Sequence, residues 1–172
     1  MEGCSLIIMA IRKIVSNRIK VVIGTSYPSC FSDLVKRVIY VPKIDCNCHT
    51  YYWLKHEYYH FTVLPINAKR SSELLVKLLD RIDSRYYFLA KPSLDLAIDV
   101  VVDRYGVYYD EHKGCYYKGW MVEMNEVRQY LPEVAELLKK YVIHGYSDVL
   151  EVAYAIYNTL VKFLKSQQKG QS

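Results

Sequence analysis

Apolar side chains recur at helical intervals from Ser5 to Ile19, and the pattern then changes to a short β-branched run, Lys20 to Gly24, closed by glycine. A helix followed by a strand therefore opens the chain. The segment Lys36 to Pro42 is β-branched and aromatic and reads as a second strand that Pro42 ends, while TSYPSCFSD before it reads as turn material. From Cys48 to Thr62 there is neither glycine nor proline, Asn47 or Thr50 offers an N-cap, and Pro65 blocks continuation, so a helix is expected there. Further helices are expected from Ser71 to about Tyr87 capped by Ser71 or Ser72, and from Ser93 to Tyr105 ended by Gly106. Two more are expected, from Asn125 to His144 ended by Gly145 and from Ser147 to Lys165, with Pro132 either splitting the first of these or marking its true start. The tyrosine- and glycine-containing stretch Val107 to Met124 reads as a hairpin-like excursion around Lys113 and Gly114. Strand-like runs are too few for a sandwich or barrel. The expected class is α+β with helices dominant, one domain over residues 1–165, and a flexible polar tail over 166–172.

Composition narrows this only a little. At 172 residues and 52% apolar the chain has enough for a single core. The run Cys4 to Ile11 is too short to span a bilayer, and its basic residues Arg12 and Lys13 follow it, so it reads neither as an anchor nor as a leader. The net charge of +5 is spread along the chain instead of forming one block, which does not indicate a nucleic-acid partner. Eighteen tyrosines are more than a chain of this size can bury with partnered hydroxyls, which suggests a sticky surface or a hydrophobic cleft. Five cysteines form no stapled-miniprotein pattern, so a reducing, cytoplasmic setting with plain buried thiols is the default.

The chemistry concentrates in His56-Glu57-Tyr58-Tyr59-His60, an HExxH motif inside the helix expected over Cys48 to Thr62. Residues four apart on a helix share a face, so both imidazoles can address one cation. Neutral imidazole is a good zinc ligand, and Glu57, next to the first histidine, can take a proton from water and pass it to a leaving amine. The bland alternative is two histidines on an aromatic helix that happen to be spaced by four.

On this motif the chain resembles the zincin metallopeptidases over about Ile19 to Gly106. That resemblance implies a minimal zincin-like domain, bound Zn2+ and a peptide or protein substrate. In the gluzincin branch a third ligand comes from a downstream helix in the pattern ExxxD, and the corresponding run here is DLAIDVVVDRYG, Asp95 to Gly106. Aspartate replaces the glutamate. Asp99-Val100-Val101-Val102-Asp103-Arg104 is similar to the ligand helix of membrane-type gluzincin relatives, which implies Asp99 as third ligand and Asp103 as the carboxylate that orients a ligand histidine. Asp103-Arg104-Tyr105-Gly106 is also similar to the aspartate ligand run of the aspzincins, one residue short. Asp95 is the other candidate on the stripe, which a plain amphipathic helix would also produce.

Other groups also carry ligand-type or donor chemistry. Cys46-Asn47-Cys48-His49 contains ligand-type residues, but CxC is a poor match to a structural zinc site, and a disulfide to Cys30 or Cys115 is an equal alternative. His112 or His144 is a further candidate third ligand, and Tyr105, Tyr108 or Tyr109 a candidate donor to a developing oxyanion. His144, just before Gly145, more simply complements a helix dipole. The leading expectation is a zinc-dependent peptidase with no membrane partner. The competing one is a catalytically silent zincin-like binding protein, for example a small mobile-element or viral accessory protein, acting through its tyrosine-rich surface.

Overall fold

A computed structural model describes residues 2–62, 64–107, 132–140 and 148–171 of the chain. Among these are six α-helices, a 3-10 helix and a three-stranded mixed sheet, an α+β fold in which helices dominate. The helices are α1 (Glu2–Ser16), α2 (Cys48–Thr62), α3 (Ala68–Leu79), α4 (Ala90–Val107), α5 (Pro132–Lys139) and α6 (Val149–Lys169). The strands are β1 (Lys20–Ile23), β2 (Phe31–Asp33) and β3 (Val38–Val41). No helix among the described residues is long and apolar enough to cross a membrane.

The chain groups into two compact units, residues 1–67 with 102–119 and residues 68–101 with 120–172, so the division passes through α4 between Val101 and Val102. In the first unit β3 is the central strand, parallel to β1 and antiparallel to β2 in the order β1-β3-β2. Its Val38, Ile39 and Val41 are buried, as expected of a strand covered on both faces. Helix α1 packs on α2 and β1 through Ile7 and Ile14, and α2 brings Leu54 and Tyr58 into the same core.

Strand β2 falls in what reads from sequence as turn material. Three residues carry little strand propensity of their own, and what pairs them is aromatic: Phe31 stacks on Tyr40 of β3 at 4.6 Å between centroids, and Tyr27 meets Phe31 edge-on at 4.7 Å.

Helix α1 stops before the expected Ile19, for a reason visible in its backbone. Ile19 donates its N–H to the Ile14 carbonyl (3.4 Å) and Arg18 to that of Val15 (3.0 Å), with Arg18 at φ 60°. This is a Schellman ending, with Ile14 and Ile19 both buried, but the left-handed position is filled by arginine where glycine is usual.

The cysteines depart from the expected plain thiols. Cys4 and Cys46 form a disulfide that ties the start of α1 to the loop before α2, with Cα atoms 4.5 Å apart and a sequence separation of 42. Cys48 is disulfide-bonded as well, whereas Cys30 is free. Closing a loop of that length restricts the unfolded chain by about 4 kcal/mol in the chain-entropy account. Disulfides of this kind belong to oxidising compartments or to hyperthermophile cytosol.

In the second unit the long helix expected from Ser71 to Tyr87 is two elements. α3 begins earlier, at Ala68, and ends at Leu79; a 3-10 helix, Ser84–Leu89, follows. Asp83 separates them because its carboxylate accepts the Arg85 N–H at 2.9 Å, a local bond that competes with helix continuation. α4 starts at Ala90, ahead of Ser93, since Pro92 lies in the first turn where its missing N–H costs nothing. It also runs through Gly106 to Val107. Pro132 does mark a helix start, that of α5, and the rest of the expected Asn125–His144 helix lies outside the described residues. The hairpin expected around Lys113 lies outside them too. α6 continues past the expected Lys165 to Lys169, into the segment expected to be a flexible tail. It packs against α3, the 3-10 helix and α5, with an Arg81–Glu151 ion pair at 2.7 Å and the Arg81 guanidinium 4.3 Å over the Tyr154 ring.

Candidate metal centre

Asn47 starts α2: its side-chain oxygen accepts the Thr50 N–H at 2.9 Å, which settles the expected choice of caps in favour of Asn47. The helix is aromatic on most sides, and even Lys55 is buried, its ammonium 4.8 Å from the Tyr51 ring centroid and 6.0 Å from that of Tyr59. At the far end Leu64 N–H closes on the Tyr59 carbonyl at 3.1 Å, just before Pro65. Cap and stop together hold the HExxH segment in regular helix.

One turn apart, His56 and His60 present their Nε2 atoms to each other at 3.0 Å, with the ring planes at 81°. Both rings are half-buried. Two nitrogens each about 2.05 Å from one tetrahedral zinc stand about 3.3 Å apart, so the pair is within a few tenths of an ångström of a chelating geometry. The same distance also suits a hydrogen bond between one protonated and one bare nitrogen.

Asp99 on α4 supplies the third candidate donor. Asp99 is half-buried, as the two histidines are. Two imidazoles and a carboxylate form a donor set that suits a divalent transition metal with a position left open. His56 and His60 offer the two imidazoles of such a set.

The other expected aspartates differ in their surroundings. Asp95, a turn earlier on α4, is half-exposed and bonded to Lys91 at 2.8 Å within its own helix. Asp103 is on the same helix, but its side chain lies outside the described residues, as do Tyr105, Tyr108, Tyr109, His112 and His144. Cys46 and Cys48 are consumed in disulfides and offer no thiolate for a second zinc.

Glu57 is only 5% exposed and follows His56 by one residue, about 100° round the helix. Near it lies a residue absent from the expected site. The Cys30 thiol, at the start of β2, is pushed up to about 11 by burial and then by the Glu57 carboxylate, with His56 pulling in the opposite sense. No local pattern in TSYPSCFSD signals this. It follows from the packing of β2 against α2, and β2 itself is not legible from sequence.

Comparison with known proteins gives no match: no family model, no curated protein and no solved structure corresponds to this chain.

Proposed function

We propose that this chain is a zinc-dependent hydrolase of peptide bonds, with His56, His60 and Asp99 holding the metal and Glu57 acting as general base. The observation that supports it most is the pairing of two histidine nitrogens at 3.0 Å with a buried carboxylate on the next residue of the same helix. A metal bound only for structure has no need of that carboxylate. Zinc, when bound, supplies Lewis acidity that makes water ionisable near neutral pH.

The remaining work falls to the chain's own groups. Glu57 accepts the proton of the attacking water and returns it to the departing amine, so its carboxylate begins and ends the cycle ionised. Its burial makes that proton transfer effective, because few waters compete for the same oxygen atoms. The cytoplasmic setting belongs to the same proposal and requires a cytosol in which the Cys4–Cys46 disulfide persists.

The second reading, a silent binding protein of the same design, draws on the exposed aromatic side chains Tyr27, Tyr87 and Phe88. Glu57→Gln separates the two. The variant is expected to keep its metal and lose hydrolysis of an unstructured protein substrate such as casein by about 100-fold or more, since an amide cannot accept the proton. Parent and variant that both bind metal and are equally inert towards a broad peptide library would favour the binding protein.

A further inference from the structure

The end of the sheet where α1 passes into β1 and β2 turns into β3 has no part in the metal centre. Here hydrogen bonds bring two turns together. The Arg37 guanidinium donates to the carbonyls of Asn17 (2.9 Å) and Arg18 (3.3 Å), and Lys20 donates its backbone N–H to the Arg37 carbonyl at 2.9 Å. The turns share an unusual feature: each places an arginine in the left-handed region, Arg18 at φ 60° and Arg37 at φ 55°, where glycine or asparagine would be cheaper. Arg37 is explained by the bonds its side chain makes. Arg18 is not, because its exposed guanidinium has no acidic partner among the described residues.

Lys20 and Lys36, at the same end, are also exposed and have no acidic side chain paired with them among the described residues. Asp33, in the adjoining strand β2, is half-buried and uses its carboxylate to accept the Lys36 backbone N–H at 2.9 Å. Two apolar side chains stand out in the same place, Val35 at 83% exposure in the β2–β3 turn and Val15 at 54% in the last turn of α1.

We infer that this end of the sheet is a docking surface for an anionic lipid bilayer. Charge complementarity selects a polyanion, since Arg18, Lys20 and Lys36, in or beside these two joined turns, have no acidic partner among the described residues. The valines then select the bilayer over a nucleic acid. Against a phosphate backbone an almost fully exposed valine gains little, whereas at a headgroup surface its side chain enters the acyl boundary while the flanking lysines meet the phosphates. The contact is peripheral and needs no spanning helix. It is also independent of the metal reading.

The test uses the full chain and sedimentation with vesicles of phosphatidylcholine alone or with about 30% phosphatidylserine, at low and at physiological salt. The expected result is binding to the anionic vesicles only, weakened by salt, with Arg18→Ala and Lys36→Ala each costing about fivefold. Val35→Ser, which removes the apolar side chain without adding charge, is expected to weaken vesicle binding and to leave any affinity for duplex DNA almost unchanged. All three positions are exposed, and unchanged far-UV circular dichroism confirms that the variants fold. Absence of vesicle binding at low salt, or equal binding to neutral vesicles, overturns the inference. Tighter binding to a mixed-sequence duplex than to the vesicles, insensitive to Val35→Ser, reassigns the surface to nucleic acid and overturns it too.

Discussion

At the scale of single residues the site divides into what spacing can show and what only packing can. His56 and His60 are legible because a helix converts a spacing of four into a shared face, and the 3.0 Å between their nitrogens is that rule made concrete. Cys30 is invisible by the same logic, since its neighbours Glu57 and His56 are distant in sequence. Its placement makes a prediction. With a folded-state value near 11 against an ordinary 9.0, the thiol stays protonated at neutral pH, and alkylation by iodoacetamide should be slow until the pH approaches that value. Because the folded-state value is raised, the stability associated with the neutral thiol is complete below pH 9.0 and is lost as the pH rises towards about 11. Glu57→Gln removes a neighbouring negative charge and should shift the alkylation midpoint downward. A midpoint near 9.0 in the parent, or one that ignores Glu57, would contradict the packing of β2 on α2.

At the scale of elements, α2 is the best-read part of the chain, with both ends as expected, because a polar cap, an unbroken run and a proline stop all agree. The misreadings occur where a local side-chain bond or a left-handed residue decides the boundary. Asp83 breaks the expected long helix by accepting from Arg85, and Arg18 ends α1 where the apolar pattern runs on to Ile19. Arginine carries no helix-stop signal, so the Schellman ending could not be seen. The two left-handed arginines should respond differently to substitution. Arg18→Gly relieves a backbone cost of about 1–2 kcal/mol and adds about 0.5–1 kcal/mol of unfolded-state entropy, so it should leave stability unchanged or raise it by up to about 1 kcal/mol. Arg37→Ala keeps the left-handed demand and loses two hydrogen bonds and the contact of its guanidinium with the Phe61 ring, 5.7 Å away, so it should cost about 1–3 kcal/mol. Urea unfolding of both variants checks this, and equal losses would show that the Arg37 bonds do not hold the two turns together.

At the scale of the whole molecule, the α+β class with helices dominant followed from the hydrophobic pattern, whereas the oxidised state of Cys4, Cys46 and Cys48 did not, because disulfide pairing depends on distances that spacing does not encode. The choice among Asp95, Asp99 and Asp103 came from a resemblance, and the three share one helix stripe, so it is open to direct test. Asp95 already has Lys91 as a partner, whereas Asp99 is half-buried. The most direct measurement is metal content of the purified full-length chain by inductively coupled plasma mass spectrometry, after equilibration with limiting zinc, beside His56→Ala, His60→Ala, Asp99→Ala and Asp95→Ala. The account predicts about one zinc per chain in the parent and in Asp95→Ala, none retained by either histidine variant, and affinity lowered by about 10-fold or more in Asp99→Ala. A parent that binds no zinc, or histidine variants that keep a full complement, would contradict it.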